Sequence, residues 1–235
     1  MNDLNISRLS FTDLFWKVVF SNGTVILDQA KACILSKHLH IEDLRKSAEY
    51  NTGSISLAAA VSLALLSNYF RPKIIAEVGT FIGRSTYSLA LGPVLSGQEA
   101  PAIHTCDYSN DIPINFDAIL KNVVQYPKKS STEMFQALFD RKFFPDIFLL
   151  DGRVEETDIP QLMKLKADNA VFILDDFEGT EKGVSNAFAL TNIFKNNFLL
   201  AYPPSKSFLC EYGLTDASTT AVLIPLTRIK FVNQA

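Results

Sequence analysis

The sequence has few cysteines, no long apolar run and little excess charge. Its three cysteines (Cys33, Cys106 and Cys210) are widely spaced and odd in number, so we expect reduced thiols rather than disulfides or a metal-ligand spacing. The most apolar stretch, residues 57–66, is too short to span a bilayer and is interrupted by Ser62. A net charge of −3 gives no electrostatic reason to expect a nucleic-acid partner.

The residues that are present suit a single α/β enzyme. A chain of 235 residues that is 48% hydrophobic and contains 18 phenylalanines can form one large α/β domain, with or without a small helical appendage. Because residues 1–10 contain no apolar signal core, we expect a cytoplasmic protein without a membrane segment. The expected partner is therefore a small molecule.

Residues 73–91, KIIAEVGTFIGRSTYSLAL, predict a strand, a tight turn and a helix. Glu77 ends the apolar run, and Gly79 and Gly83 lie in the turn. Glycines allow close backbone approach to a ligand, and the helix directs free N–H groups into the same crevice. This is the opening unit of a doubly wound parallel sheet, which binds ligands at the carboxyl ends of its strands. The third glycine of a dinucleotide fingerprint and the Gly-Lys-Ser/Thr of a P-loop are both missing.

Residues 77–86, EVGTFIGRST, resemble the first motif of class I S-adenosyl-L-methionine (SAM)-dependent methyltransferases. They are most similar to the small-molecule branch that contains the catechol, caffeoyl-CoA and macrocin-type O-methyltransferases. The resemblance covers residues 50–226 and implies a Rossmann-like, doubly wound, seven-stranded α/β sheet of order 3-2-1-4-5-7-6 with an N-terminal helical extension. It also implies that the motif contacts SAM through Glu77, Gly79, Thr80, Phe81, Gly83 and Ser85.

The second predicted strand, residues 102–106, ends at another acidic residue. Asp107 follows it, where a carboxylate can accept hydrogen bonds from both ribose hydroxyls of a nucleoside. A helix cap or turn is the alternative role for Asp107. Tyr108 comes next and is a candidate to stack on or beside the adenine.

Two further segments are cofactor candidates only through the resemblance. The Asn-x-Gly turn at residues 51–53 corresponds to one that touches the methionine part of SAM, which implicates Thr52 and Gly53. A helix start alone would also explain Gly53. The resemblance likewise implies adenine contacts for Ser131 and Thr132, and Ser131 as the N-cap of a helix is the alternative.

Two buried apolar runs, residues 145–150 and 170–174, predict the fourth and fifth strands. Asp151 follows the first, and Asp175 and Asp176 follow the second. Since these strands are neighbours in the fold, their carboxyl ends bring the aspartates together, and close carboxylates favour a compensating hard cation such as Mg²⁺. The resemblance implies that all three ligate the metal, that Asp151 also borders SAM, and that Asp151 and Asp175 act in catalysis. Helix capping after each strand is the alternative.

The sequence departs from the resembled family at the general base. The catechol-type enzymes have lysine, and many relatives histidine, three residues after the first aspartate, whereas this chain has Val154. Arg153 is permanently charged and suits an anionic substrate instead. Three explanations stay open: a metal alone activates the acceptor, another residue supplies the base, or the reaction is not this O-methylation. An amine acceptor, for example, would need only its lone pair and correct positioning.

The N-terminal part is predicted to be helical. Residues 11–20 and 25–38 have apolar side chains at helical spacing, with an Asn-Gly turn between them, and a further short helix is expected near Ile41. We divide the chain into a helical segment, residues 1–48, and a SAM-binding domain, residues 49–235. Three roles are open for the helical segment: a cap over the active site, a homodimer contact, or simple packing on the sheet.

These observations lead to one principal hypothesis and two alternatives. The principal hypothesis is methyl transfer from SAM to a small-molecule hydroxyl or amine, with Mg²⁺ as a candidate cofactor. The missing base at Val154 favours a non-catalytic or regulatory protein of the same fold. A different Rossmann-like enzyme that binds NAD or another nucleotide is the other alternative, and the absent third glycine argues against it.

Overall fold

The structure is a computed structural model that describes residues 10–47, 54–108, 121–178, 182–195 and 197–228, with residues 38–47 described by their backbone alone. The helices are α1 (Phe11–Asn22), α2 (Thr24–Ser47), α3 (Leu57–Phe70), α4 (Arg84–Leu95), α5 (Ser131–Asp140), α6 (Ile159–Lys164), α7 (Gly183–Ile193) and α8 (Lys206–Glu211). The strands are β1 (Ile74–Val78), β2 (Ala102–Asp107), β3 (Val123–Pro127), β4 (Ile147–Leu150), β5 (Val171–Leu174), β6 (Phe198–Ala201) and β7 (Ala221–Pro225).

The strands form one mixed sheet in the order β3-β2-β1-β4-β5-β7-β6. Strands β1 to β5 are parallel, and β7 is antiparallel to both β5 and β6. The predicted doubly wound sheet and its strand order are confirmed. The central strands β4 and β5 are buried at every position, as expected for parallel strands covered by helices on both faces.

Alternate residues of the central strands belong to two separate apolar layers. Ile75, Leu149 and Ile173 pack with helices α1 to α4 on one face of the sheet. Phe148 and Phe172 point to the other face, where α5, α6 and α7 pack. This alternation follows from the two-residue period of a strand, which sends successive side chains to opposite faces.

The register of the sheet places the predicted functional strand ends side by side. Val78 of β1 pairs with Leu150 of β4, and Leu150 pairs with Leu174 of β5. Asp151 and Asp175 are the next residues, so both follow their strands at the same edge of the sheet. The edge at which ligands bind in doubly wound sheets is therefore the acidic edge of this molecule.

The N-terminal helices share the core of the sheet. Helix α1 starts with a capping box in which Ser10 and Asp13 bind each other's backbone N–H groups. Trp16 and Phe20 are buried in the apolar layer that also contains β1, and the indole N–H of Trp16 donates to the Tyr202 carbonyl oxygen at 2.7 Å. Cap and dimer-contact roles for this segment stay predictions, and the division at residue 48 lies outside the described residues.

Helix α2 differs from the prediction in its length. It runs from Thr24 to Ser47 without the break expected before Ile41, because neither glycine nor proline interrupts this stretch. Across the described part of the chain, no single helix is long and apolar enough to cross a membrane. Taken together, α1 and residues 24–37 have the necessary length and composition, but the two helices are bent by 82° relative to each other.

A buried histidine in β2 gives the fold a predictable response to acid. His104 is 2% exposed, and its Nδ1 lies 3.1 Å from the Tyr126 hydroxyl. Burial, aided by the charge of Arg141, lowers its pKa from 6.5 to about 4. As the pH falls, the unfolded chain is protonated at His104 near pH 6.5, whereas the folded protein is protonated only near pH 4. The stability linked to neutral His104 is therefore present above pH 6.5 and is lost towards pH 4.

We expect wild-type protein to lose roughly 3 kcal/mol more unfolding free energy between pH 7 and pH 4 than a His104→Gln variant does. Denaturant titrations at several pH values measure this difference. Tyr126→Phe, which keeps the buried imidazole, should retain the wild-type pH dependence. Parallel stability profiles for wild type and His104→Gln would contradict the assignment.

Candidate active site

A cavity of about 580 Å³ opens at the acidic edge of the sheet. The turn between β1 and α4 forms one wall, and Ser54–Ser56 line the cavity before α3. Asp107, Asp151 and the pair Asp175–Asp176 border it at the ends of β2, β4 and β5. A smaller cavity of about 170 Å³ adjoins it, shares Asp107 and Asp151, and is also bordered by Tyr108.

The turn after β1 is shaped by close backbone approach. Gly79 has φ 94°, and a Cβ built on it would lie 3.2 Å from the Asp151 Cβ. The N–H groups of Gly79 and Thr80 donate to the Cys106 carbonyl oxygen at 3.0 and 3.2 Å, which ties the turn to β2. Glycine is therefore needed at position 79 for its conformation and for the space that Asp151 occupies.

Asp107 joins this turn to the second strand. Its Oδ2 accepts a hydrogen bond from the Phe81 N–H at 2.7 Å, and Phe81 has φ 45°, unusual for a residue with a side chain. Thr80, also in the turn, shares a 2.5 Å hydroxyl contact with Thr105 of β2. The predicted cofactor residues Gly79, Thr80, Phe81 and Asp107 therefore lie together on the cavity wall.

Glu77 lies beneath the turn rather than on the cavity wall. It is fully buried, and its two carboxylate oxygens accept hydrogen bonds from the hydroxyls of Ser85 and Thr86, each at 2.5 Å. Burial raises the Glu77 pKa, and the hydroxyl donors oppose that rise. Gly83, with φ 78°, is the N-cap of α4, and Ser85 and Thr86 lie in the first turn of that helix. Direct contact of Glu77 with SAM stays a prediction; its observed bonds fix the start of α4.

The start of α5 differs in detail from the sequence expectation. Ser130, not Ser131, is the N-cap, and it forms a capping box with Glu133. Ser131 and Thr132 instead donate their hydroxyls to the Asp158 carboxylate at 2.9 and 2.7 Å. Ser131 borders the smaller cavity, so its predicted adenine contact is compatible with its position. Thr52 and Gly53 lie outside the described residues.

The three aspartates predicted to hold a metal border the larger cavity together with a lysine that the sequence analysis missed. The Lys182 ammonium lies 3.3 Å from Asp151 Oδ1 and 2.9 Å from Asp176 Oδ2. Asp175 is turned towards β7, where its Oδ1 accepts hydrogen bonds from Thr219 at 3.0 Å and more weakly from the neighbouring Thr220. Nothing in the sequence pattern around the three aspartates indicated that Lys182 would be their partner, because the cluster contains no histidine or cysteine to mark a recognisable spacing.

The charges of this cluster are strongly coupled. Burial, reinforced by the charge of Asp175, raises the pKa of Asp151 to about 7. Burial also raises the pKa of Asp175, and Asp176 adds to the effect while Thr219 opposes it. Burial alone would lower the pKa of Lys182, but its bonds to Asp176 and Asp151 raise it overall. The cluster therefore needs positive charge, and Lys182 supplies it.

This donor set does not fit a divalent metal as it stands. Across the described residues, no three side chains of the histidine, cysteine, aspartate and glutamate types converge as metal ligands. The ammonium of Lys182 lies between two predicted ligands, and threonine hydroxyls bind the third, Asp175. Magnesium binding therefore stays a prediction from the sequence.

The position predicted for a base is used for packing. The Val154 side chain packs against the apolar layer beneath β4, and its N–H donates to Asn186 Oδ1 at 2.8 Å. The Asn186 amide also donates to the Gly152 carbonyl oxygen at 2.7 Å. Asn186 of α7 thus fixes the loop after Asp151 at two points, and position 154 contributes an anchored backbone and an apolar side chain rather than a base.

Solved structures identify the architecture. An O-methyltransferase from Bacillus cereus aligns with a TM-score of 0.56 at 13% identity, over 80% of this chain and 89% of its own. The methyltransferase PaMTH1 from Podospora anserina aligns with a TM-score of 0.54 at 13% identity, over 93% and 98%. The chain has the class I methyltransferase fold. The O-methyltransferase TomG from Streptomyces achromogenes shares this fold, with a TM-score of 0.51 at 16% identity over 92% of this chain and 98% of its own.

Sequence comparisons gave no further assignment. No protein-family model matches the chain, and no curated protein matches it. The class I methyltransferase fold is recognisable here through its sheet order and its first turn, at 13–16% identity to the solved structures named above.

Proposed function

We propose that this protein transfers a methyl group from SAM to a hydroxyl or amine of a small molecule. The observation that carries the proposal is the arrangement of the first turn and Asp107 around one cavity at the carboxyl edge of a 3-2-1-4-5-7-6 sheet. The structures of the same fold from Bacillus cereus and Podospora anserina contain S-adenosylhomocysteine, and that of TomG contains SAM. The coarse shape and the local residues thus support the same cofactor.

The residues around the cavity suit the parts of SAM. The Asp107 carboxylate is placed to accept ribose hydroxyls, and the N-terminus of α4 presents backbone N–H groups at the same wall. Tyr108 and Ser131 border the smaller cavity, where we place the adenine. The larger cavity is lined by five carboxylates and two cationic side chains, so its charge favours a sulfonium.

SAM supplies an electrophilic methyl group on its sulfonium, so no protein nucleophile is required. We assign Asp151 and Asp175 to orient the acceptor by accepting a hydrogen bond from its hydroxyl or amine. The carboxylate that holds the acceptor also takes its proton and passes it to water. The fixed position of both side chains at neighbouring strand ends supports this role, since alignment of two reactants contributes much of such catalysis.

A non-catalytic or regulatory SAM-binding protein is the second candidate. It is favoured by Val154, whose apolar packing leaves this position without a base. An enzyme that uses NAD is disfavoured by the missing third glycine. The predicted small-molecule substrate, cytoplasmic location and homodimer through α1 and α2 stay predictions, as do the absence of nucleic-acid and membrane partners. The exposed Leu14, Val25 and Leu35 on these helices are the residues a dimer would bury.

Calorimetric titration with SAM, S-adenosylhomocysteine, NAD and ATP tests the proposal. We expect micromolar binding of the first two and none of the others. Release of S-adenosylhomocysteine is then measured with catechols, sugars, polyketide hydroxyls and amines as acceptors. Binding without turnover on any acceptor class would support the regulatory candidate. Failure to bind SAM, or preference for NAD, would remove the basis of the proposal.

A further inference from the structure

The acidic edge of the cavity contains its own cation. Lys182 is the N-cap residue of α7, and its ammonium contacts one carboxylate from the end of β4 and one from the end of β5. The side chain is 38% exposed and borders the larger cavity beside Asp151 and Asp176. A single side chain thus links the two strand ends that carry the proposed acceptor-orienting groups.

The remaining carboxylate is satisfied separately. Asp175 is 5% exposed and accepts its hydrogen bonds from Thr219 and Thr220, which lead into β7. The backbone turns between the paired aspartates, because Asp176 has φ 50°, and its carboxylate reaches Lys182 instead. The three acids therefore have two different kinds of partner: Lys182 supplies one positive charge to Asp151 and Asp176, and neutral hydroxyls bind Asp175.

We propose that Lys182 is the built-in cation of this site: a positioning residue that holds Asp151 and Asp176 where a divalent metal would otherwise be needed. The role as a fixed cation stands on these contacts alone. Its consequence, that methyl transfer proceeds without a divalent metal, rests on the proposed function.

Geometry and charge both support this assignment. A divalent ion such as Mg²⁺ needs several oxygen ligands at roughly 2.0–2.1 Å in near-octahedral arrangement. The ammonium nitrogen lies 2.9 Å from Asp176 and 3.3 Å from Asp151, so it occupies the point where those two carboxylates would meet an ion. A metal would have to displace Lys182 and leave a second positive charge beside it. The alternative is an incidental ion pair, which the site would tolerate losing.

The decisive experiment compares Lys182→Met and Lys182→Arg with wild type and with Lys17→Met, an exposed lysine of α1 that serves as the matched control. Calorimetry with Mn²⁺ alone, without SAM or acceptor, reports on the cation site independently of activity. We expect no stoichiometric Mn²⁺ binding by wild type, Lys182→Arg or Lys17→Met. Lys182→Met should bind Mn²⁺ at least about tenfold more tightly than any residual binding by wild type, because Asp151 and Asp176 lose the positive charge of Lys182.

Activity provides the second measurement. In EDTA, wild type and Lys17→Met should release S-adenosylhomocysteine at full rate, Lys182→Met at least about tenfold more slowly, and Lys182→Arg at an intermediate rate. Mn²⁺ should partly restore Lys182→Met, which a lost structural contact would not explain. Thermal melting identifies any variant that fails to fold. If Lys182→Met does not fold, Lys182→Arg is compared with wild type instead.

Two results would overturn the proposal: stoichiometric Mn²⁺ or Mg²⁺ binding by wild type with loss of transfer in EDTA, or equal behaviour of Lys182→Met and wild type. These results are distinct from failure of the proposed function. If SAM does not bind to any form of the protein, the methyltransferase assignment is wrong, while the Mn²⁺ titrations still decide whether Lys182 serves as the cation.

Discussion

Replacement of Gly92 by alanine is expected to destabilise the protein by about 3 kcal/mol or more. Gly92 lies in α4 where this helix packs against α3. A Cβ on it would overlap sterically with the Ala64 carbonyl group of α3. Alanine in a helix interior normally adds up to roughly 1 kcal/mol of stability relative to glycine, so the sign of the effect is diagnostic. Denaturant unfolding measures it directly.

Gly97 offers a matched control for this prediction. A Cβ there meets nothing within 4 Å, but its φ of 75° is unfavourable for alanine. Gly97→Ala should therefore cost only about 1 kcal/mol, the conformational penalty alone. If Gly92→Ala is no more destabilising than Gly97→Ala, the close packing of α3 on α4 described above is incorrect.

Replacement of Asp107 is expected to cause the largest loss of cofactor affinity. Asp107→Ala should weaken binding of SAM and S-adenosylhomocysteine by about 100-fold, since hydrogen bonds to a charged group contribute roughly 1.5–3 kcal/mol each. The variant loses the carboxylate placed at the ribose and also the acceptor of the Phe81 N–H, which holds the turn after β1. Calorimetric titration measures both affinities.

Asp107→Asn separates the two contributions. Its amide oxygen can still accept the Phe81 N–H, so a smaller loss, about tenfold, is expected from the ribose contact alone. Asp28→Asn, at a site whose side chain is 94% exposed on α2, should bind SAM as wild type does. Unchanged affinity in Asp107→Ala would place the ribose elsewhere and would remove Asp107 from the proposed site.

Much of the fold was predictable because its signals are local. The apolar runs that became β4 and β5 are buried at every position and end at acids, which is typical of central parallel strands. The turn with Gly79 and Gly83 predicted both its own conformation and the helix that follows it. Strand order came from the resemblance carried by that turn, and the sheet confirms it.

Errors arose where neighbouring residues competed for the same local role. Ser130 and Ser131 are both suitable N-caps, and the choice depends on Glu133, three residues after Ser130, which completes the capping box. The separate helix expected near Ile41 rested on the acidic residues Glu42 and Asp43, which suit a first turn, and the continuous helix formed because no strong helix breaker is present.

The sequence by itself determined the strand ends, the glycine turn and the acids that reach one edge of the sheet, since each depends on a short stretch of chain. Tertiary structure alone decided which partners those acids meet. Glu77 binds hydroxyls of α4, Asp175 binds threonines leading into β7, and Asp151 meets Lys182 from 31 residues away. Such pairings depend on how helices and strands dock, because a charged side chain has many candidate partners along the chain and the packed fold brings only a few within reach.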